Sequence, residues 1–122
     1  MSQTVLIADD EPNIVISLEY LLQREGYRVL VARDGQEALD LAEQMHPDIV
    51  LLDVMLPKVS GFEVCQKLRE NPALGRMRIL MLTAKGRDVE MSKGLALGAD
   101  AYVTKPFSTQ DLLAQIRAQL ER

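Results

Sequence analysis

Two hydrophobic periodicities alternate along this 122-residue chain. Short apolar runs have the length and branched-residue content of strands: "TVLIA" (4–8), "RVLVA" (28–32), "DIVLLD" (48–53), "RILMLTA" (78–84) and "AYVTK" (101–105). Between and after them, apolar residues recur at helical spacing. These stretches are "EPNIVISLEYLLQREG" (11–26), "GQEALDLAEQM" (35–45), "GFEVCQKLREN" (61–71), "GRDVEMSKGLALGA" (86–99) and "STQDLLAQIRAQLE" (108–121). Gly26, Pro47, Pro72 and Gly98 punctuate the ends of the first four. Ser108, with Asp111 three residues on, has the pattern of a helix N-cap.

Five strands alternating with five helices predict an α/β domain. Its sheet is parallel, with helices on both faces. The near-continuous apolar strands agree, because parallel strands are buried on both sides. No linker, internal repeat or low-complexity segment interrupts the pattern, so residues 1–122 read as one domain.

Composition narrows the field. Hydrophobic residues make up 48% and charged residues 26%, as in ordinary globular proteins. The net charge of −4, without a basic block, argues against direct nucleic-acid binding. One cysteine excludes a disulfide framework and a cysteine zinc site. One histidine, His46, excludes a histidine-rich metal site; next to Pro47 it is expected at the surface. Cys65 reads as a small core or boundary residue, and the six methionines as core filler. No apolar stretch approaches the roughly 20 residues that span a bilayer. "MSQTVLIADD" enters a strand directly and lacks a signal-peptide layout, so a cytoplasmic location away from membranes is expected.

The polar residues at the strand ends carry the chemistry. The third strand, "IVLLD", ends on Asp53 before an apolar run resumes at Val54. A carboxylate sealed in hydrocarbon is costly unless it is paired, coordinated or protonated. The first strand runs into Asp9, Asp10 and Glu11, the fourth reaches Thr83, and the fifth reaches Lys105. Ligands of open parallel sheets bind outside the carboxyl ends of the strands, where strand order reverses. All these residues fall at that edge, which places Asp53 in a crevice.

Three carboxylates close together repel one another. A hard divalent cation such as magnesium relieves that repulsion and binds through one or two carboxylates plus phosphate. Lysine supplies a compact positive charge for phosphate, and a threonine hydroxyl can donate to a phosphoryl oxygen. An aspartate in such a site is a competent nucleophile for phosphoryl transfer.

"ADDE" (8–11), "LLDVMLP" (51–57) followed by Gly61, "LTA" (82–84) and "TKPF" (104–107) occur in this order at successive strand ends. The set resembles the receiver domain of two-component response regulators, over the whole chain. The resemblance implies a chemotaxis-regulator-like fold with flavodoxin-like strand order 2-1-3-4-5. It makes Asp53 the phosphoacceptor, supplied by a sensor histidine kinase or a phosphotransfer protein. It makes Asp10, Asp53 and the backbone carbonyl of Met55 ligands of magnesium or manganese, with Asp9 acting through a metal-bound water. Thr83 and Lys105 would contact the phosphoryl group. It further implies a cis peptide between Lys105 and Pro106. Tyr102 would be a switch aromatic whose rotamer follows Thr83.

The resemblance also implies a responding face on the fourth helix, fifth strand and fifth helix, which can serve a homodimer. On that face stand Lys93, Asp100, Asp111 and Arg117. The winged-helix transcription-factor branch of the family often has an acidic residue before the switch aromatic and an arginine in the last helix. Here Ala101 and Gln115 stand there, so one ion pair of that branch's dimer is missing. Met55 and Lys85 flank the water approach to Asp53 and, by the same resemblance, favour a slowly decaying phosphoryl group.

Other classes fit less well. A haloacid-dehalogenase-like phosphatase wants an aspartate where Met55 stands. A flavodoxin-like flavin binder wants a phosphate-cradling loop where "DDEPN" presents carboxylates. A nucleotide triphosphatase wants G-x-x-x-x-G-K-[ST], which is absent. A non-phosphorylated interaction module would not need the complete set of Asp10, Asp53, Thr83 and Lys105. The expected chemistry is self-phosphorylation and self-dephosphorylation at Asp53, not conventional enzymatic turnover.

Overall fold

The computed structural model describes residues 2–84 and 88–121. Strands β1 (Thr4–Ala8), β2 (Arg28–Ala32), β3 (Ile49–Asp53), β4 (Arg78–Ala84) and β5 (Ala101–Lys105) alternate with helices. The helices are α1 (Pro12–Arg24), α2 (Gly35–Met45), α3 (Gly61–Glu70), α4 (Asp88–Ala96) and α5 (Thr109–Leu120). The sheet is parallel throughout, in the order β2-β1-β3-β4-β5. The parallel α/β sheet is the one the apolar pattern predicts, and its flavodoxin-like strand order is the one the resemblance implies. Strand order reverses between β1 and β3, which opens a crevice at their carboxyl ends.

Alternate strand residues supply two cores. Val5, Ile7, Ile49, Leu51, Leu80 and Leu82 pack with Leu18 and Leu22 of α1 and Leu112 and Ile116 of α5. Leu6, Val50, Leu52, Ile79 and Met81 face the other way, onto Ala38 and Ala42 of α2 and Val64 and Leu68 of α3. Each fully buried leucine or isoleucine contributes roughly 1.5–3 kcal/mol over its exposed state. This two-sided burial holds for β1, β3 and β4, whereas the edge strands β2 and β5 stay partly exposed. An edge strand has a neighbour on one side alone, so its side chains are less fully covered.

Side-chain caps fix several helix starts. Asp34 accepts from the Glu37 amide at 2.8 Å, Ser60 from Glu63 at 3.3 Å and Ser108 from Asp111 at 3.0 Å. The chain after α3 does not simply stop at Pro72. It makes a 3-10 turn, Pro72–Leu74, capped by the Asn71 side chain. Cys65 is buried and His46 exposed, as expected. The methionines divide: Met77 and Met81 are core, while Met45 and Met55 are exposed. The first two residues of the 86–99 stretch lie outside the described residues, and α4 itself spans Asp88–Ala96.

A charged strap closes the far end of the sheet. Arg69 of α3 donates to Gly98 O at 2.7 Å, Met77 O at 2.6 Å and Asp100 Oδ2 at 2.6 Å. Asp100 also accepts from the Ile79 amide at 2.8 Å. One guanidinium thus ties α3 to the entrances of β4 and β5.

Candidate functional site

The carboxyl ends of β1, β3 and β5 meet at one cluster. Asp9 follows β1 and is fully buried; its amide donates to Ala32 O of β2 at 3.1 Å. Asp53 ends β3 and is also buried, while Asp10 is exposed. One oxygen from each of Asp9, Asp10 and Asp53 lies within 4.8 Å of the others. Lys105, at the end of β5, reaches into this group. Its Nζ lies 2.8 Å from Asp9 Oδ2, 3.4 Å from Asp53 Oδ2 and 3.7 Å from Glu11 Oε1.

Short backbone bonds orient the carboxylates. Asp9 Oδ1 accepts from the Glu11 amide at 2.9 Å, and Asp53 Oδ1 from the Met55 amide at 3.2 Å. Glu11 occupies the N-cap of α1 without a side-chain cap, so Asp9 serves the helix entrance and the cluster together. Burial pushes the Asp53 carboxyl above its ordinary value. Lys105 opposes that rise and the Asp9 charge adds to it. Burial alone would lower Lys105. The Asp9 hydrogen bond and the Asp53, Asp9 and Glu11 charges outweigh it, so Lys105 ends above its ordinary value.

The cluster fits a hard divalent cation. Every donor is a carboxylate oxygen, the pattern that suits magnesium, calcium or manganese. Among the described residues, Lys105 pairs with Asp9, Asp53 and Glu11, and Asp10 adds a further carboxylate beside Asp9 and Asp53, so a bound cation would lower the remaining repulsion.

Thr83 of β4 is buried one register step beyond Leu82, the partner of Asp53, and its hydroxyl donates to Ala84 O at 3.3 Å. The Lys105–Pro106 peptide is cis, as expected. Tyr102 pairs with Met81 across the β4–β5 ladder and is 39% exposed. The Met55 side chain is 72% exposed, while its amide is held by Asp53. Lys85, the other expected flanking residue, lies outside the described residues.

A family model described as the response regulator receiver domain matches residues 5–117. The chain belongs to the response regulator receiver domain family. It is 49% identical, over all 122 residues, to the alkaline phosphatase synthesis transcriptional regulatory protein PhoP of Bacillus subtilis (strain 168). It covers 50% of that protein, so the chain spans about half the length of this curated relative. A response regulator structure from Chloroflexus aurantiacus superimposes with a TM-score of 0.96 at 36% identity, covering 100% of both chains. The receiver domain of a sensor histidine kinase from Pseudomonas aeruginosa has a TM-score of 0.92 at 28% identity, again over 100% of both. That structure holds a magnesium ion coordinated in its active site cleft.

Three residues of the expected responding face of this receiver domain are already engaged within the chain. Asp100 is bound by Arg69 at 2.6 Å, and Arg117 pairs with Glu25, just past the end of α1, at 2.6 Å. Lys93 lies over the Phe62 ring of α3, 4.6 Å from its centroid. Sequence reasoning also passed over Asp34 and Gly35, which touch the loop following Asp53. Their signal was the Asp-Gly pair in "RDGQEAL", of which only Gly35 entered the sequence reading, as the first residue of a helix.

Proposed function

We propose that Asp53 accepts a phosphoryl group from the phosphohistidine of a sensor histidine kinase or phosphotransfer protein. The observation that carries this reading is the placement of Lys105, 2.8 Å from Asp9 and 3.4 Å from Asp53, above a cluster of carboxylates. An Asp53 oxygen attacks phosphorus in line with the donor nitrogen. The new O–P bond forms, the P–N bond breaks, and its electron pair leaves with the imidazole nitrogen. Lys105 moves from the carboxylates onto a phosphoryl oxygen. The Thr83 hydroxyl turns from Ala84 O to donate to another.

Asp10, Asp53 and the Met55 carbonyl would hold magnesium or manganese, with Asp9 contributing through a bound water. When bound, the cation supplies positive charge that offsets the equatorial phosphoryl oxygens. Met55 carries no proton to transfer, which weighs against the phosphatase alternative. The product is a modified domain, not a turned-over substrate.

Phosphorylation adds roughly −1.5 to −2 charge. Drawing Thr83 toward the phosphoryl group frees space beside β5, and Tyr102 turns inward from its half-exposed position. The readout is a population shift of the surface formed by α4, β5 and α5, of the usual 1–3 kcal/mol scale (about 5- to 150-fold). A homodimer through that face would have to form without Arg117, which Glu25 occupies, and without an acid at Ala101. Its contacts would be largely apolar, through Leu95 and Tyr102.

The test is incubation with acetyl phosphate, with and without magnesium, in the natural chain and in Asp10→Asn. Cation-dependent, acid-labile labelling that weakens in Asp10→Asn is expected. Labelling that ignores the cation would overturn the reading.

A further inference from the structure

The chain leaves β3 at Asp53 and returns to α3 through residues 54–60, and two glycines let this loop lie where it does. At its end, the Gly61 amide donates to Val54 O at 3.0 Å, and a Cβ on Gly61 would stand 2.2 Å from the Asp53 carbonyl oxygen. At its middle, the loop rests on the N-terminus of α2. The Gly35 amide donates to Pro57 O at 3.1 Å, and a Cβ on Gly35 would stand 1.9 Å from Val59 O. No side chain fits there without moving the loop backbone.

The loop is strained where it touches α2. The Val59 amide donates to Pro57 O at 2.8 Å, closing a three-residue turn with Lys58 at its apex. Lys58 has φ +67°, a left-handed value unfavourable for a residue with a Cβ. Such a conformation persists where surrounding contacts over-determine it. Asp34 and Gly35 provide them. Asp34 caps α2 through the Glu37 amide at 2.8 Å and offers its other oxygen to Lys58 Nζ at 3.5 Å. Glu37 returns a bond to the Arg33 amide at 2.7 Å, fixing this helix start. The same loop begins with the Met55 amide on Asp53 Oδ1. A shift at Val59 therefore reaches the phosphoacceptor through the few residues between Met55 and Val59.

We propose that Gly35, supported by Asp34, is a positioning residue for phosphoryl acceptance. The N-terminus of α2 is the fixed surface that sets the Met55 loop against Asp53, and so sets cation affinity and acceptance rate. This rests on the reading of Asp53 as the acceptor. Loss of such outer support at a metal site costs about 10- to 100-fold. Gly35→Ala is therefore expected to weaken magnesium binding and slow phosphorylation by about tenfold each.

The experiment compares the natural chain, Gly35→Ala and Gly75→Ala, whose added Cβ would meet Pro72 O at an ordinary 3.5 Å. Calorimetric magnesium affinity, the acetyl phosphate labelling rate and cation-free thermal unfolding are measured on each. A natural chain that neither binds magnesium nor accepts phosphate overturns the underlying reading, and the proposal with it. With that chain active, a Gly35→Ala protein that unfolds earlier yet keeps full affinity and rate overturns the proposal alone. Lowered affinity in folded Gly35→Ala, with Gly75→Ala unchanged, supports it. Should Gly35→Ala fail to fold, Lys58→Met decides, because it cuts the Asp34 tie and leaves Gly35 in place. Weakened magnesium binding there supports the proposal, and unchanged binding overturns it.

Discussion

Lys105 donates to Asp9 at 2.8 Å and stands farther, at 3.4 Å, from Asp53. In the unphosphorylated chain its ammonium thus serves the fully buried carboxylate first. Lys105→Met would leave Asp9 buried without that cation. Breaking such a pair costs about 3–5 kcal/mol, and the lower end applies here because Lys105 keeps some solvent contact. Denaturant unfolding in chelator is expected to show a loss of about 3 kcal/mol, with magnesium narrowing the gap. Equal stability with and without Lys105 would show that Asp9 does not depend on it.

Asp53 makes a pH-dependent prediction of definite sign. Its carboxyl is raised above the ordinary value of 3.8, first by burial. An acid whose folded value exceeds its unfolded value binds its proton more tightly in the folded state. Its ionised form therefore destabilises the fold at neutral pH, and that cost fades as pH falls through the raised value toward 3.8. Asp53→Asn in chelator is expected to be more stable than the natural chain at neutral pH, with the difference closing in acid. Lys105 behaves oppositely. Its raised value contributes stability that is complete below 10.5 and lost as pH climbs through the folded value. Unfolding curves across pH check both signs; a gain in Asp53→Asn that grows in acid would contradict the assignment.

Arg69→Leu should be costly although it lies far from Asp53. It removes three donors at once and strands Asp100, which is 18% exposed. A loss of about 3 kcal/mol is expected, tempered by partial solvent access and the more distant Arg78, 4.0 Å from Asp100. Asp100→Asn in the same background should recover part of it. No recovery would mean that packing of the arginine stem, not the stranded charge, sets the cost.

Much of this was legible in the chain. The apolar runs marked β1, β3 and β4 because burial on both faces confines polar residues to the strand ends. The strand-end carboxylates and Lys105 were legible because a parallel sheet delivers such residues to one edge. Ser108 was readable as a cap because capping is local. What was not legible depends on distant backbone. Nothing near Gly35 in sequence says that Val59 O will lie 1.9 Å from its missing side chain. Likewise, Arg117 on an exposed helix face gave no sign of its bond to Glu25, 92 residues away.

The most direct measurement is to locate the phosphoryl group itself. The chain is treated with acetyl phosphate and magnesium, reduced with borohydride, digested and sequenced by mass spectrometry. An aspartyl phosphate is converted to homoserine at the modified position. Homoserine at residue 53, absent when magnesium is withheld, is the expected result. Homoserine at Asp9 or Asp10 instead, or none in a chain shown to be folded and loaded with magnesium, would contradict the account.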